Sequence, residues 1–154
     1  MLAARGHGHD YLPGNRQRAA APSTIGCRIS TRRKDEHMHE LIDRYLACWN
    51  ETDSATRREL IAKTWADDAS YVDPLVDAHG HDAIDAAIAT TQGQFPDHVF
   101  ALAGPVDTHH DVARFSWGLG RDGDDPLVIG SDVASLGADG RLARVVGFLD
   151  KVPT

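Results

Sequence analysis

Apolar positions follow a helical rhythm in the first part of the chain and a strand rhythm in the second. From Glu40, residues Leu41, Ile42, Tyr45, Leu46, Cys48 and Trp49 share one broad helical face, with Glu40, Asp43 and Arg44 outside it. This predicts a first helix. Thr56 and Glu59 have capping-box spacing, and Leu60, Ile61, Thr64 and Trp65 form the apolar stripe of a second helix ending near Asp67. Ser70 to Asp73 alternates like a strand, which Pro74 ends, and a short return passes through Val76. Gly80 opens a third helix with Ile84, Ala87, Ile88 and Thr91 on its buried side, closed by Gly93 and Pro96.

Strands are predicted next at 98–103, 111–119, 127–136 and 142–152, separated by turn-forming Gly, Pro and Asp clusters. Helices before a run of strands imply an α+β domain, three helices on one face of a curved, mostly antiparallel sheet. The other face then needs cover. Phe115 and Trp117, or Val146 and Phe148, are expected on it, and a homodimer through this outer face follows.

Composition narrows the class. The chain has 154 residues, room for one domain, and its 42% hydrophobic and 25% charged content is that of a globular protein. No apolar run approaches the ~20 residues of a membrane span, so no membrane partner is expected. Cys27 and Cys48 are the two cysteines, one in a polar stretch and one in a helical pattern, which gives neither a disulfide framework nor a metal knuckle. A cytoplasmic location is the expectation.

Charge divides the chain near His37. Residues 1–37 carry seven Lys/Arg against three acids, and the remainder is strongly acidic within a net −7. An acidic domain repels phosphate backbones, so nucleic acid is not an expected partner. The first 37 residues show Gly, Pro, Arg and small residues without periodicity. Three readings stay open for them: a disordered basic tail, upstream sequence before a true start at Met38, or a targeting peptide. An apolar stretch of the length a secretory signal needs is missing from them. The folded domain is expected over 38–154.

DRYLACWN, WADDASYVDP, GHDAI and IGSDVASLGADGRLARVVGFLD, in that order, resemble the nuclear-transport-factor-2-like (NTF2-like) superfamily. Its SnoaL-like polyketide cyclases and ketosteroid isomerases are the nearest in pattern. The resemblance covers about 38–153 and implies a cone-shaped fold around a pocket for a hydrophobic small molecule, with no cofactor. It also implies three catalytic residues. Tyr45 in RYLACWN matches the isomerases' pocket tyrosine, Asp73 in ADDASYVDP their aspartate base, and Asp132 in GSDVASL their protonated aspartic acid donating to an oxyanion. The cyclases also place an acid/base aspartate on the strand of Asp132.

That trio has a clear chemical logic. Removing a proton beside a carbonyl needs an ionised carboxylate, and the resulting enolate needs donors that keep their protons. Each residue also has a plainer reading. Tyr45 serves equally as core packing, and an aspartate before proline often only forms a turn. Asp132 interrupts an apolar strand, where an unpaired carboxylate is costly, and Val128, Ala134 and Leu136 share its face.

Trp49, Trp65, Tyr71, Val128, Ala134 and Leu149 are the expected substrate-binding walls. By family analogy Arg114 and Ser116 join them on the pocket side, where Arg114 could pair with Asp132 and keep it ionised. The superfamily's epoxide hydrolases use Arg-x-Asp and a later aspartate, but Ser116 and Gly147 occupy those positions, which excludes that chemistry. His79 and His81 with Asp77 or Asp82 are too few and too local for a zinc site, so no metal is expected. A cofactor-free isomerase or cyclase, acting by proton transfer on an enolisable carbonyl or polycyclic compound, is the first expectation. The alternative is a non-catalytic ligand-binding or dimerisation module.

Overall fold

A computed structural model describes residues 24–154. Helix α1 (Thr24–Asn50) comes first, then α2 (Ser54–Thr64), β1 (Trp65–Val72), β2 (Asp77–His79) and α3 (Gly80–Gln94). Strands β3 (Val99–Leu102), β4 (Asp107–His109), β5 (Val112–Gly120), β6 (Val128–Leu136) and β7 (Leu142–Lys151) complete the described chain. The sheet runs β2-β1-β7-β6-β5-β3, with β4 also on β5. Every pairing is antiparallel except β1 with β7. Register shifts in the β1–β7 and β6–β7 ladders bend the strands, as bulges do. Three helices on a curved, mostly antiparallel sheet form an NTF2-like α+β fold.

Helix α1 begins well before Glu40, so the expected boundary at His37 falls inside a helix. Extending a helix whose later turns are packed adds one hydrogen bond per residue fixed. Contacts hold this stretch as well. Lys34 reaches Asp111 at 3.2 Å, Asp35 accepts from Thr108 at 2.9 Å, and His37 Nε2 donates to the Gly140 carbonyl at 2.8 Å. The part of the expected tail before residue 24 lies outside the described residues.

Two boundaries of α2 also differ from expectation. Its cap is Asp53, whose carboxylate accepts from the Thr56 backbone N–H at 2.9 Å and hydroxyl at 2.8 Å. Trp65, read as helical, opens β1 and is fully buried. Strand β4, read as part of a turn, is pinned on β5, with Asp107 opposite Arg114. Among the described residues no helix is long and apolar enough to cross a membrane.

Strand parity decides which face the helices cover. Ala113, Phe115, Trp117 and Leu119 of β5 are buried, as are Val128, Asp132 and Ala134 of β6 and Leu142 and Val145 of β7. The apolar ones meet Leu41, Ile42, Tyr45 and Trp49 of α1, Ile61 of α2 and Ile84 and Ile88 of α3 in one core. Phe115 and Trp117 are therefore not on the bare face. Phe148, 54% exposed, is, with half-buried Val146 two residues away on the same face.

Candidate functional site

Helix α1 carries Tyr45 inward among Trp49, Trp65 and Phe115, with ring centroids 6.3, 5.6 and 5.5 Å away. Its hydroxyl emerges from this cage toward β6 and donates to Asp132 Oδ2 at 2.5 Å. Asp132 is fully buried because the inward parity of β6 carries it between Phe115 of β5 and Gly147 of β7. Among the described residues its other oxygen, Oδ1, has no hydrogen-bond partner of good geometry.

Burial pushes the Asp132 carboxyl up to about 6, partly offset by the Trp117 indole and the Tyr45 hydroxyl; the charges of Asp73 and Asp150 add to the rise. Arg114 plays no part. Its guanidinium lies on the outer face, paired with Asp107 at 2.9 Å, so the expected Arg114–Asp132 pairing does not occur. Burial first, then the charge of Asp132, holds the Tyr45 phenol well above its ordinary range. Tyr71 is shifted the same way by burial and by Asp132 and Asp73.

Asp73 sits at the end of β1, where Pro74 turns the chain. Its Oδ1 accepts the backbone N–H groups of Leu75 and Val76, both at 2.7 Å, and its Oδ2 accepts the Tyr71 hydroxyl at 2.8 Å. The turn-forming reading and the site reading hold together in one side chain. Gly147 explains how the two acidic positions come close. A Cβ there would lie 2.9 Å from Asp132 Oδ1, 3.3 Å from Asp73 Cβ and 3.4 Å from Tyr71 Oη. Any larger residue would press on all three.

A cavity of about 130 Å³ opens beside this cluster. Tyr45, Tyr71 and Asp73 line it together with Thr91 and Gln94; Trp49, Phe100 and Trp117 form its aromatic wall, and Val128 and Leu149 also line it. Asp132 is not on the wall and lies behind Tyr45. Ala134, fully buried, belongs to the core, and Trp65 packs behind the rings of Tyr45 and Tyr71. Ser116 is on the outer face beside Ser131, 3.2 Å away, which in turn donates to Asp150. Arg114 and Ser116 thus leave the expected site. Trp117 and Phe100 enter it.

The signal for Trp117 was present in β5, whose aromatic set is the one a core-facing strand should bury; analogy assigned the opposite parity. Among the described residues no group of three or more His, Cys, Asp or Glu is arranged to hold a metal. His81 instead donates toward the carbonyls of Trp65 and Ala66 at 2.9 and 3.0 Å. His79 meets Asp77 at 3.0 Å in the open.

No protein-family model and no curated protein matches the chain. Among solved structures, it is similar to a proposed isomerase of the SnoaL-like family from Agrobacterium tumefaciens str. C58. The two are 41% identical over 75% of this chain and 99% of that one, with a TM-score of 0.72. An NTF2-like protein of unknown function from Exiguobacterium sp. 255-15 shares 23% identity over 73% of this chain and 99% of that one, TM-score 0.58. A proposed polyketide cyclase from Sinorhizobium meliloti shares 19% over 72% and 97%, TM-score 0.54. The chain belongs to the SnoaL-like family.

Proposed function

We propose that the protein is a cofactor-free enzyme of the isomerase or cyclase type that moves a proton next to a carbonyl group. The observation carrying this reading is a carboxylate and two phenols, Asp73, Tyr45 and Tyr71, in the wall of a mostly apolar cavity. Asp73 takes the proton from the carbon beside the carbonyl, the electron pair moves to the oxygen, and a hydroxyl stabilises the enolate. The carboxyl then returns the proton to carbon.

Asp132 enters as a positioning residue. When protonated, it donates to Tyr45 Oη and frees the tyrosine proton for the substrate oxygen; when ionised, it accepts the tyrosine's hydrogen bond and keeps that donor from the substrate. The helices and sheet close as a cone around the site in this reading. A binding module without catalysis is the second reading, favoured by the three local hydrogen bonds that already engage Asp73.

Solvent-deuterium incorporation into a panel of enolisable ketones separates the two. Proton transfer predicts exchange at the carbon beside the carbonyl, abolished by Asp73→Asn. Ligand binding without exchange in the wild-type protein would leave the binding module standing.

A further inference from the structure

The aromatic wall of the cavity is tied down by the fold. Asn50 donates to the Phe100 carbonyl at 2.8 Å and accepts its N–H at 2.7 Å, and Gln92 donates to the carbonyls of Trp49 and Glu51 at 3.0 and 2.8 Å. These bonds fix β3 and α3 to the end of α1. The mouth is built differently: it opens to solvent beside Leu75, 79% exposed, and Val152, 51% exposed, with Pro153 following in the chain.

A lone exposed leucine or valine is ordinary on a protein surface. Here two from separate elements stand at one opening, each carried there by its own backbone device. Leu75 sits on the turn that follows Pro74. Asp73 Oδ1 accepts the N–H groups of Leu75 and Val76, both at 2.7 Å, and the Asp73 N–H donates to the Val76 carbonyl at 2.9 Å. Leu75 therefore has a fixed place two residues from the proposed base.

Val152 owes its place to a register shift. In the β6–β7 ladder Gly130 pairs with Leu149 but Ile129 pairs with Lys151, so Asp150 is an extra residue on β7. Strict alternation from Leu149 would bring Lys151 to the cavity side and take Val152 away from it. The bulge reverses this. Lys151 donates to the Pro126 carbonyl at 3.0 Å, while Val152 joins Leu149 on the lining. An ammonium group is kept from the mouth, and an aliphatic side chain stands there instead. On the α3 side, Thr91 donates its hydroxyl to the Ala87 carbonyl at 3.1 Å, and Gln94 is exposed at the end of the helix.

We propose that Leu75, Val152 and Pro153 form a second subsite, receiving the uncharged apolar body of a substrate whose carbonyl end lies in the cavity. At about 130 Å³ the cavity is close to the ~150 Å³ that accommodates benzene, so whatever exceeds one ring passes the mouth and meets this subsite. The inference rests on the carbonyl reading above and deepens it. Leu75 and Val152 are specificity-determining residues and take no part in moving the proton.

Cyclohexanone and 4-cyclohexylcyclohexanone, titrated into the wild-type protein and the Leu75→Ser/Val152→Ser variant, test this. Covering about 60 Å² of apolar surface is worth about tenfold in affinity, so the wild type should prefer the two-ring ketone by about that factor. The variant should lose most of the preference, to within about twofold. Both side chains are largely exposed, so the variant should fold. Methyl NMR of the wild type gives a second measurement: the two-ring ketone should shift the Leu75 and Val152 methyl signals, and cyclohexanone should leave them in place. A preference that survives in the variant, no preference or no binding in the wild type, or unmoved methyl signals would overturn the proposal. The expected preference and shifts without α-deuterium exchange in either ketone would defeat proton transfer and leave the mouth subsite standing. Exchange in both ketones without any preference would do the reverse.

Discussion

Asp85 and Asp132 are both buried, at 7% and 0% exposure, but one faces guanidinium groups and the other a phenol. Between α2 and α3, Asp85 accepts from Arg57 at 2.6 Å and Arg58 at 3.3 Å, and Arg57 is itself almost fully buried. Under the sheet, Asp132 has the Tyr45 hydroxyl and the Trp117 indole and, among the described residues, no cation. A buried charge met by an opposite charge stays ionised and acts as a clamp. Where no cation is present, a proton is the remaining means of neutralisation, and the residue titrates. The helical pair is framework; the sheet residue can change state.

Breaking the clamp should have the largest effect. Arg57→Met leaves Asp85 buried with only Arg58, a mostly exposed partner, and should cost about 3–5 kcal/mol in urea denaturation. A loss below about 1 kcal/mol would mean that Arg58 takes over.

The titrating residue gives a smaller, pH-dependent effect. Asp132 is raised from 3.8 to about 6 in the fold, so between these values the native state binds more protons than the unfolded chain. Stability is therefore full below about pH 4 and falls as pH rises through about 6, by about 3 kcal/mol at 1.36 kcal/mol per pKa unit. Asp132→Asn should flatten that part of the stability-against-pH curve, with other groups' contributions unchanged. A wild-type curve already flat there would show that Asp132 takes up no proton on folding.

Tyr45→Phe sharpens the contrast further. It removes the hydrogen bond that lowers the Asp132 carboxyl, which should move above about 6, and should cost about 1–3 kcal/mol for the acceptor left buried. Carboxyl NMR titration reads the first quantity and denaturation the second. Arg114→Gln is the smallest: its pair with Asp107 is largely exposed, so neither stability nor the Asp132 titration should change measurably. A displaced Asp132 titration would show a charge coupling across the sheet.

Much of the fold was legible because its signals are local. The face of α1 from Leu41 to Trp49, the breaks at Pro74 and Pro96, and the turns between the late strands all come from neighbouring residues. The errors arose where local signals were silent. Period-two alternation in β5 gives two sets of residues without saying which meets the helices, so Arg114 and Ser116 were expected inside and Phe115 and Trp117 outside. The contacts of Lys34, Asp35 and His37 were not legible because their partners Asp111, Thr108 and Gly140 lie far along the chain.

By itself, the amino-acid sequence determined the order of helices and strands, the apolar character around Asp132, and the presence of Tyr45, Asp73 and Asp132 as chemically capable groups. Periodicity and turn chemistry act over a few residues and survive in a linear string. Only the tertiary structure decided which groups reach the cavity, because that depends on strand parity and register. Those place Asp132 behind Tyr45, turn Arg114 outward to Asp107, and leave Gly147 small enough for Asp73, Tyr71 and Asp132 to gather around it.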